Sequence, residues 1–161
     1  MHRLIALALV AGLPTASVAD SLIVTFRDGA PKDRFTLQHR GDCAPGRIVL
    51  EIDLGTAPAG LIFDITAAGA GVEVYQPLEW VQGLATTSDV TDGDTTLSLT
   101  LDRMQRGETR AFTVDIDDTT SARQITVDGS EMAGATLRSG ATVAVFDATG
   151  TARLPLDACT S

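Results

Sequence analysis

From Ser21 onward, apolar residues recur at every second position in short runs, and Gly, Pro, Asp or Thr clusters interrupt them every ten residues or so. The 3.6 period of an amphipathic helix never persists. The pattern therefore predicts strands with one dry and one wet face. Leu22, Val24 and Phe26 alternate in the first run, which Asp28-Gly29-Ala30-Pro31 breaks; Phe35 and Leu37 alternate in the second, which the glycine-bounded segment 41–46 ends. Ile48, Leu50, Ile52 and Leu54 form the clearest apolar face, opposed by Arg47, Glu51 and Asp53. A short apolar run over 61–66 follows, then one over 72–80 that Pro77 bends or ends. The stretch 84–94 reads as a long exposed loop. Leu97, Leu99 and Leu101 alternate with hydroxyl residues, as do Phe112, Val114 and Ile116 with Thr113, Asp115 and Asp117, and these two runs are expected to pair. Ile125 and Val127, Val143 and Val145, and Leu154 and Leu156 complete about nine or ten strands. An all-β, antiparallel β-sandwich of immunoglobulin-like or Greek-key type is the expected fold.

The first nineteen residues stand apart. Arg3, an apolar run over 4–13, and small residues at Ser17 and Ala19 have the three parts of an export signal, with cleavage expected between Ala19 and Asp20. The apolar run is about half the ~20 residues that span a bilayer, and no later segment is long enough either. The expected organisation is a leader over 1–19 and a single sandwich domain over 20–161. About 140 residues after cleavage suit one core.

Export changes how the cysteines read. Cys43 and Cys159 are the only two of the 161 residues, and an oxidising compartment lets them form one bridge. Closing a loop of about a hundred residues is worth roughly 4–5 kcal/mol on the chain-entropy argument.

A formal charge of −9, with Lys32 the single lysine, argues against a nucleic-acid partner, since phosphate binding needs Lys and Arg to displace counterions. Asp115, Asp117 and Asp118 are the candidate metal ligands: calcium takes six to eight hard oxygens, and Asp64, Asp128 and the Asp92-Gly93-Asp94 turn offer more. Solvated acidic turns are the competing reading. Arg40-Gly41-Asp42 matches a tripeptide that animal adhesion receptors bind, but three residues are a weak signal and a turn at Gly41 explains them. His39 is the only histidine after the leader, and no nucleophile motif accompanies it. Catalytic residues are therefore not assigned and no cofactor is required, with Ca2+ as the candidate ion. Tyr75 and Trp80 are the candidate ligand-binding aromatics, for a sugar or a partner.

The runs FRDGAPKDRF at 26–35, GLIFD at 60–64, GAGVEV at 69–74 and FTVDIDD at 112–118, together with the leader, resemble a family of small exported bacterial proteins called aggregation factor core, named after a sponge cell-adhesion proteoglycan. The similarity covers nearly the whole mature chain. The run 35–41 with 48–54, and the run 101–114 containing Arg106-Gly107-Glu108, are also similar to the B–C and E–F regions of immunoglobulin-like adhesin modules. The resemblance implies a secreted β domain, periplasmic or extracellular in a Gram-negative bacterium, with a part in adhesion or aggregation. It implies no catalytic residue. The partners to expect are a protein, an extracellular matrix or surface polysaccharide, or a second copy of the chain. A carbohydrate-binding or carbohydrate-active domain and a structural subunit of an envelope assembly are the alternatives.

Overall fold

The computed structural model describes residues 20–42, 44–66, 75–120 and 127–156. The leader with Ala19, and Cys43, Val72, Ile125 and Cys159, lie outside the described residues, so the expected cleavage and disulfide do too.

Among the described residues the chain is all-β and antiparallel, with twelve strands where about nine or ten were expected. One five-stranded sheet, sheet A, runs in the order β12 (Thr151–Pro155), β1 (Ser21–Arg27), β2 (Asp33–Arg40), β8 (Thr109–Val114), β5 (Glu79–Gln82). The second, sheet B, runs β11 (Thr142–Val145), β10 (Thr136–Ser139), β3 (Ile48–Asp53), β7 (Thr96–Leu101), β6 (Thr86–Thr87). A two-stranded pair, β4 (Leu61–Phe63) with β9 (Ile116–Asp118), closes one end. Chain-distant strands lie side by side, as the Greek-key expectation requires: β2 with β8, β3 with β7, β1 with β12.

The alternation selects the buried faces. Leu22, Val24, Phe26, Phe35, Leu37, Leu50, Ile52 and Leu54 are all inside, and facing rows from the two sheets share one core. Its centre is aromatic: Phe35 stacks on Phe112 at 5.0 Å, with Phe26 at 5.3 Å and Phe146 at 6.4 Å from it. Removing the Phe35 ring would cost about 3–5 kcal/mol, lost transfer energy plus a cavity.

Two expectations change. The runs at 96–101 and 109–114 do not pair: β7 joins β3 and β6 in sheet B, whereas β8 joins β2 and β5 in sheet A. Segment 102–108 carries the chain from one layer to the other. Alternation reports which face a strand buries and is silent on its neighbour. Val127 is buried in the core without being part of a strand. The stretch 84–94 is largely exposed, as expected of a loop, but Thr86–Thr87 within it forms β6. No helix of the described residues is long and apolar enough to cross a membrane.

Candidate functional site

The inward face of β2 reads Asp33, Phe35, Leu37, His39, so a polar residue is buried at each end of the strand. Each end organises a different cluster.

At the Asp33 end, β2 pairs with β8 where Val114 leads into Asp115 and β9. Backbone bonds tie Asp115 to the neighbouring segments: Asp64 N–H donates to Asp115 O (3.1 Å), Gln76 N–H to Asp64 O (3.2 Å), and Asp115 N–H to Gln76 O (3.3 Å). Asp33 is 3% exposed, its Oδ1 accepting from Gly29 N (3.1 Å) and its Oδ2 from Ile116 N (3.2 Å). Burial pushes the Asp33 carboxyl up to about 7, against the pull of the Gly29 N–H, and the charge of Asp115 adds to the rise. Asp115 is likewise pushed up to about 7, first by burial and then by the charges of Asp117 and Asp64.

The three candidate metal ligands are thus only partly brought together. Asp115 feels Asp117 and Asp64, whereas Asp118 follows Asp117 along β9 and so points to the opposite face. Asp118 Oδ1 accepts from Thr120 N at 3.1 Å. Asp117 and Asp118 are also buried, 3% and 2% exposed, rather than on the wet face that an acidic run suggests. Among the described residues no group of three or more His, Cys, Asp or Glu side chains is placed to hold a metal ion. The other acidic candidates are occupied locally. Asp92 Oδ1 accepts from Ile65 N and Thr66 N, both at 2.7 Å, and Asp94 Oδ2 from Thr91 N at 2.7 Å. Asp128 accepts from Ser130 and Glu131, and the Ser130 hydroxyl holds its carboxyl below the usual range.

The His39 end carries residues that the sequence reading missed. Arg110, 8% exposed, donates through Nε to Glu108 Oε1 (3.0 Å), through Nη1 to Leu84 O (2.6 Å), and through Nη2 to Asp102 O (2.9 Å) and Arg103 O (3.2 Å). Glu108 in turn accepts from Gln105 N at 2.7 Å, and this bond, then Arg110, holds its carboxyl below the usual range. The signal was present: Arg110 shares the inward parity of Phe112 and Val114.

His39 is fully buried, in keeping with a structural role, and its Nδ1 lies 3.1 Å from Gln105 O. A carbonyl only accepts, so Nδ1 carries a hydrogen, and Nε2 is buried without a partner among the described residues. A cavity of about 190 Å³ lies here, lined by His39, Arg40, Gly41, Asp42, Arg106 and Gly107. Gly41 makes the expected turn with φ of 152°, and a Cβ on it would fall 1.6 Å from Asp20 Oδ1. Asp20 Oδ1 accepts from Asp42 N (2.9 Å), and the Asp42 carboxylate pairs with Arg106 at 2.8 Å.

Tyr75 and Trp80 do not form a common platform. Trp80 lies 5.2 Å from Phe112 and packs against the core, with its Nε1 buried; Tyr75 precedes β5 and is 38% exposed.

The outer strands of the two five-stranded sheets differ in what they offer. In β12 the even residues bond to β1, as Phe26 N to Gly150 O and Leu156 N to Asp20 O require, so the odd residues face outward. Asp147 occupies the first of them: its N–H donates to Thr151 O (3.0 Å) and its Oδ1 accepts from Thr151 N (3.1 Å). Arg153 brings a charge to this edge, and Pro155 has no N–H. β5 is interrupted by a bulge between Trp80 and Gln82, and its Glu79 pairs with Lys32 at 2.7 Å; β6 has two residues. β11 carries no charge, proline or bulge of its own, and β12 runs close beside it after the turn that Asp147 and Thr151 close. It joins β10 through a two-residue turn whose Gly140 has φ of 54°. The Ser139↔Thr142 pair and the Phe146 N to Ala135 O bond direct the even residues of β11 to β10. Val143 and Val145 therefore turn their N–H and C=O groups off the sheet, and their side chains are 43% and 58% exposed.

Compared with protein-family models, with curated proteins and with solved structures, the chain finds no match.

Proposed function

We propose that the chain is an exported, non-enzymatic binding module of the adhesion or aggregation kind, working in the periplasm or outside the cell. The observation that carries this reading is the outer face of the uncharged strand β11, which presents Val143 and Val145 to solvent. Apolar side chains exposed side by side on a strand face are a surface that a partner covers. The leader supports export, and the resemblance to the aggregation factor core family supports adhesion. The acidic end supports a dependence on conditions: Asp33 and Asp115 hold protons up to about pH 7, and calcium near Asp115 and Asp117 would relieve the same repulsion. Trp80 packs against Phe112 instead of offering a flat stacking face, which counts against the carbohydrate reading.

Beads coated with the chain, expressed from its full sequence, test this directly. They should clump in suspension, more strongly in millimolar calcium than in chelator. Beads that stay dispersed at every calcium level would sink the adhesion reading.

A further inference from the structure

The geometry points to an acidic polysaccharide, a polymer carrying carboxylates on its sugar rings, as the ligand of the outer face of sheet A. This rests on the reading of the chain as a binding module and gives it a ligand on a second face, away from Val143 and Val145. The chain has a formal charge of −9. Yet the outward positions of β12, β1, β2 and β8 hold four exposed arginines, Arg27, Arg34, Arg40 and Arg153, and no carboxylate. On β5 the outward carboxylate, Glu79, is taken by Lys32 at 2.7 Å. None of the four arginines pairs with a carboxylate among the described residues. Arg27 and Arg34 are direct cross-strand partners. Like charges so placed repel, and a carboxylate seated between them removes the repulsion.

The register sets the size of the ligand. Arg27 and Arg34 form one row, Thr151, Thr25 and Thr36 the next, Arg153 with Ile23 and Gln38 the third, and Arg40 with Ser21 the fourth. Arg153 leans towards the fourth row, donating to Ser21 Oγ at 3.1 Å. The two ends lie roughly 20 Å apart along β2, further than a single sugar ring extends. A chain of uronate rings reaches both, with carboxylates for the guanidiniums at each end and hydroxyls for the threonines and Gln38 between them. Charge holds such a ligand, not ring stacking, so the burial of Trp80 does not count against it. Other anionic partners fit less well. Among the exposed large apolar side chains only Val81, at the β5 edge, belongs to a strand of this sheet. An acidic protein finds no apolar anchor at the centre of the face, and a membrane finds none to take in among its headgroups.

Calorimetric titration of the folded chain, expressed from its full sequence, with polygalacturonate in chelator decides it. The polymer should bind, neutral dextran should not, and galacturonate monomer should bind at least about a hundredfold more weakly. Raising the salt from about 50 to about 200 mM should weaken polymer binding at least about tenfold. Arg27→Gln with Arg34→Gln, and Arg40→Gln with Arg153→Gln, change exposed positions only, and each pair should cost at least about tenfold in affinity. Arg138→Gln, on the outer face of sheet B, should leave the affinity as it was. Arg34→Gln alone, with a smaller loss, carries the test if a double variant loses its melting transition. The inference is overturned if the polymer does not bind, if dextran or the monomer binds as well as the polymer, or if salt leaves binding unchanged. It is equally overturned if the folded arginine variants bind as tightly as the unaltered chain. Retention by phosphatidylserine vesicles but not by the polymer would overturn it in favour of a membrane surface. Beads that stay dispersed while the chain binds the polymer would sink the adhesion reading alone, and beads that clump while it ignores the polymer would sink this assignment alone.

Discussion

The two ends of β2 bury charge in opposite ways. At one, Arg110 meets a carboxylate and three carbonyls, and Glu108 meets a guanidinium and a backbone N–H. At the other, roughly 20 Å along the strand, Asp33 and Asp115 are desolvated beside each other, and Asp115 also beside Asp64 and Asp117. The first end is balanced by fixed partners within the fold. At the second, burial and neighbouring like charges push the carboxyls of Asp33 and Asp115 up to about 7. One sandwich therefore buries one charge among fixed partners and two carboxyls where burial and like charges oppose ionisation.

Arg110→Ala leaves Glu108 without its cation and three carbonyls without a donor, which should cost about 3 kcal/mol in a urea titration at neutral pH. Arg110→Lys should recover little, since one ammonium cannot reach all four acceptors. A loss well below 1 kcal/mol would mean that water replaces the guanidinium and that this end is no clamp.

Asp115→Asn acts with the opposite sign. The folded carboxyl binds its proton up to about pH 7, the unfolded one only near 3.8, so the folded state holds more protons between these values and stability falls as pH rises through that window. It stays low above it. The asparagine variant should gain about 1–2 kcal/mol at about pH 8, after discounting for solvent, and almost nothing below pH 3.8. Urea titrations at several pH values check this; equal effects at both extremes would deny the repulsion among these carboxylates.

The smallest effect sharpens the contrast. The folded Glu108 carboxyl is depressed below 4.5, so its contribution is present above that value and fades as pH falls through the folded one. Glu108→Gln should cost about 0.5 kcal/mol at neutral pH, given its exposure, and less in acid. The pH slopes of the two variants should thus run in opposite directions, which thermal melts across pH would show.

Much of this fold is visible in the alternation. The parity of Ile48, Leu50, Ile52 and Leu54 names the buried side of β3, and that of Phe112 and Val114 names the buried side of β8. Parity also marks Asp33, His39 and Arg110 as inward. What hides them is the habit of reading a charge as solvated, when the inward position of a strand carries more weight than the residue type. Partner strands are less visible, as the separation of β7 from β8 shows, because either layer would cover the same leucines. Asp117 and Asp118 are hardest to read. β9 has three residues, all buried, and so short a strand has no period to display. The candidate site suffers most from this, since its charges come from β9, the turn after β4 and the start of β2, and only folding makes them neighbours.

The hold that Asp147 keeps on Thr151 has a consequence for growth. A single carboxylate with its own N–H caps one layer of the sandwich, and the opposite flank of the other layer is only two residues wide. The same two bonds turn the chain from the second layer back to the first, so β11 and β12 lean on each other and the two layers are joined at this corner.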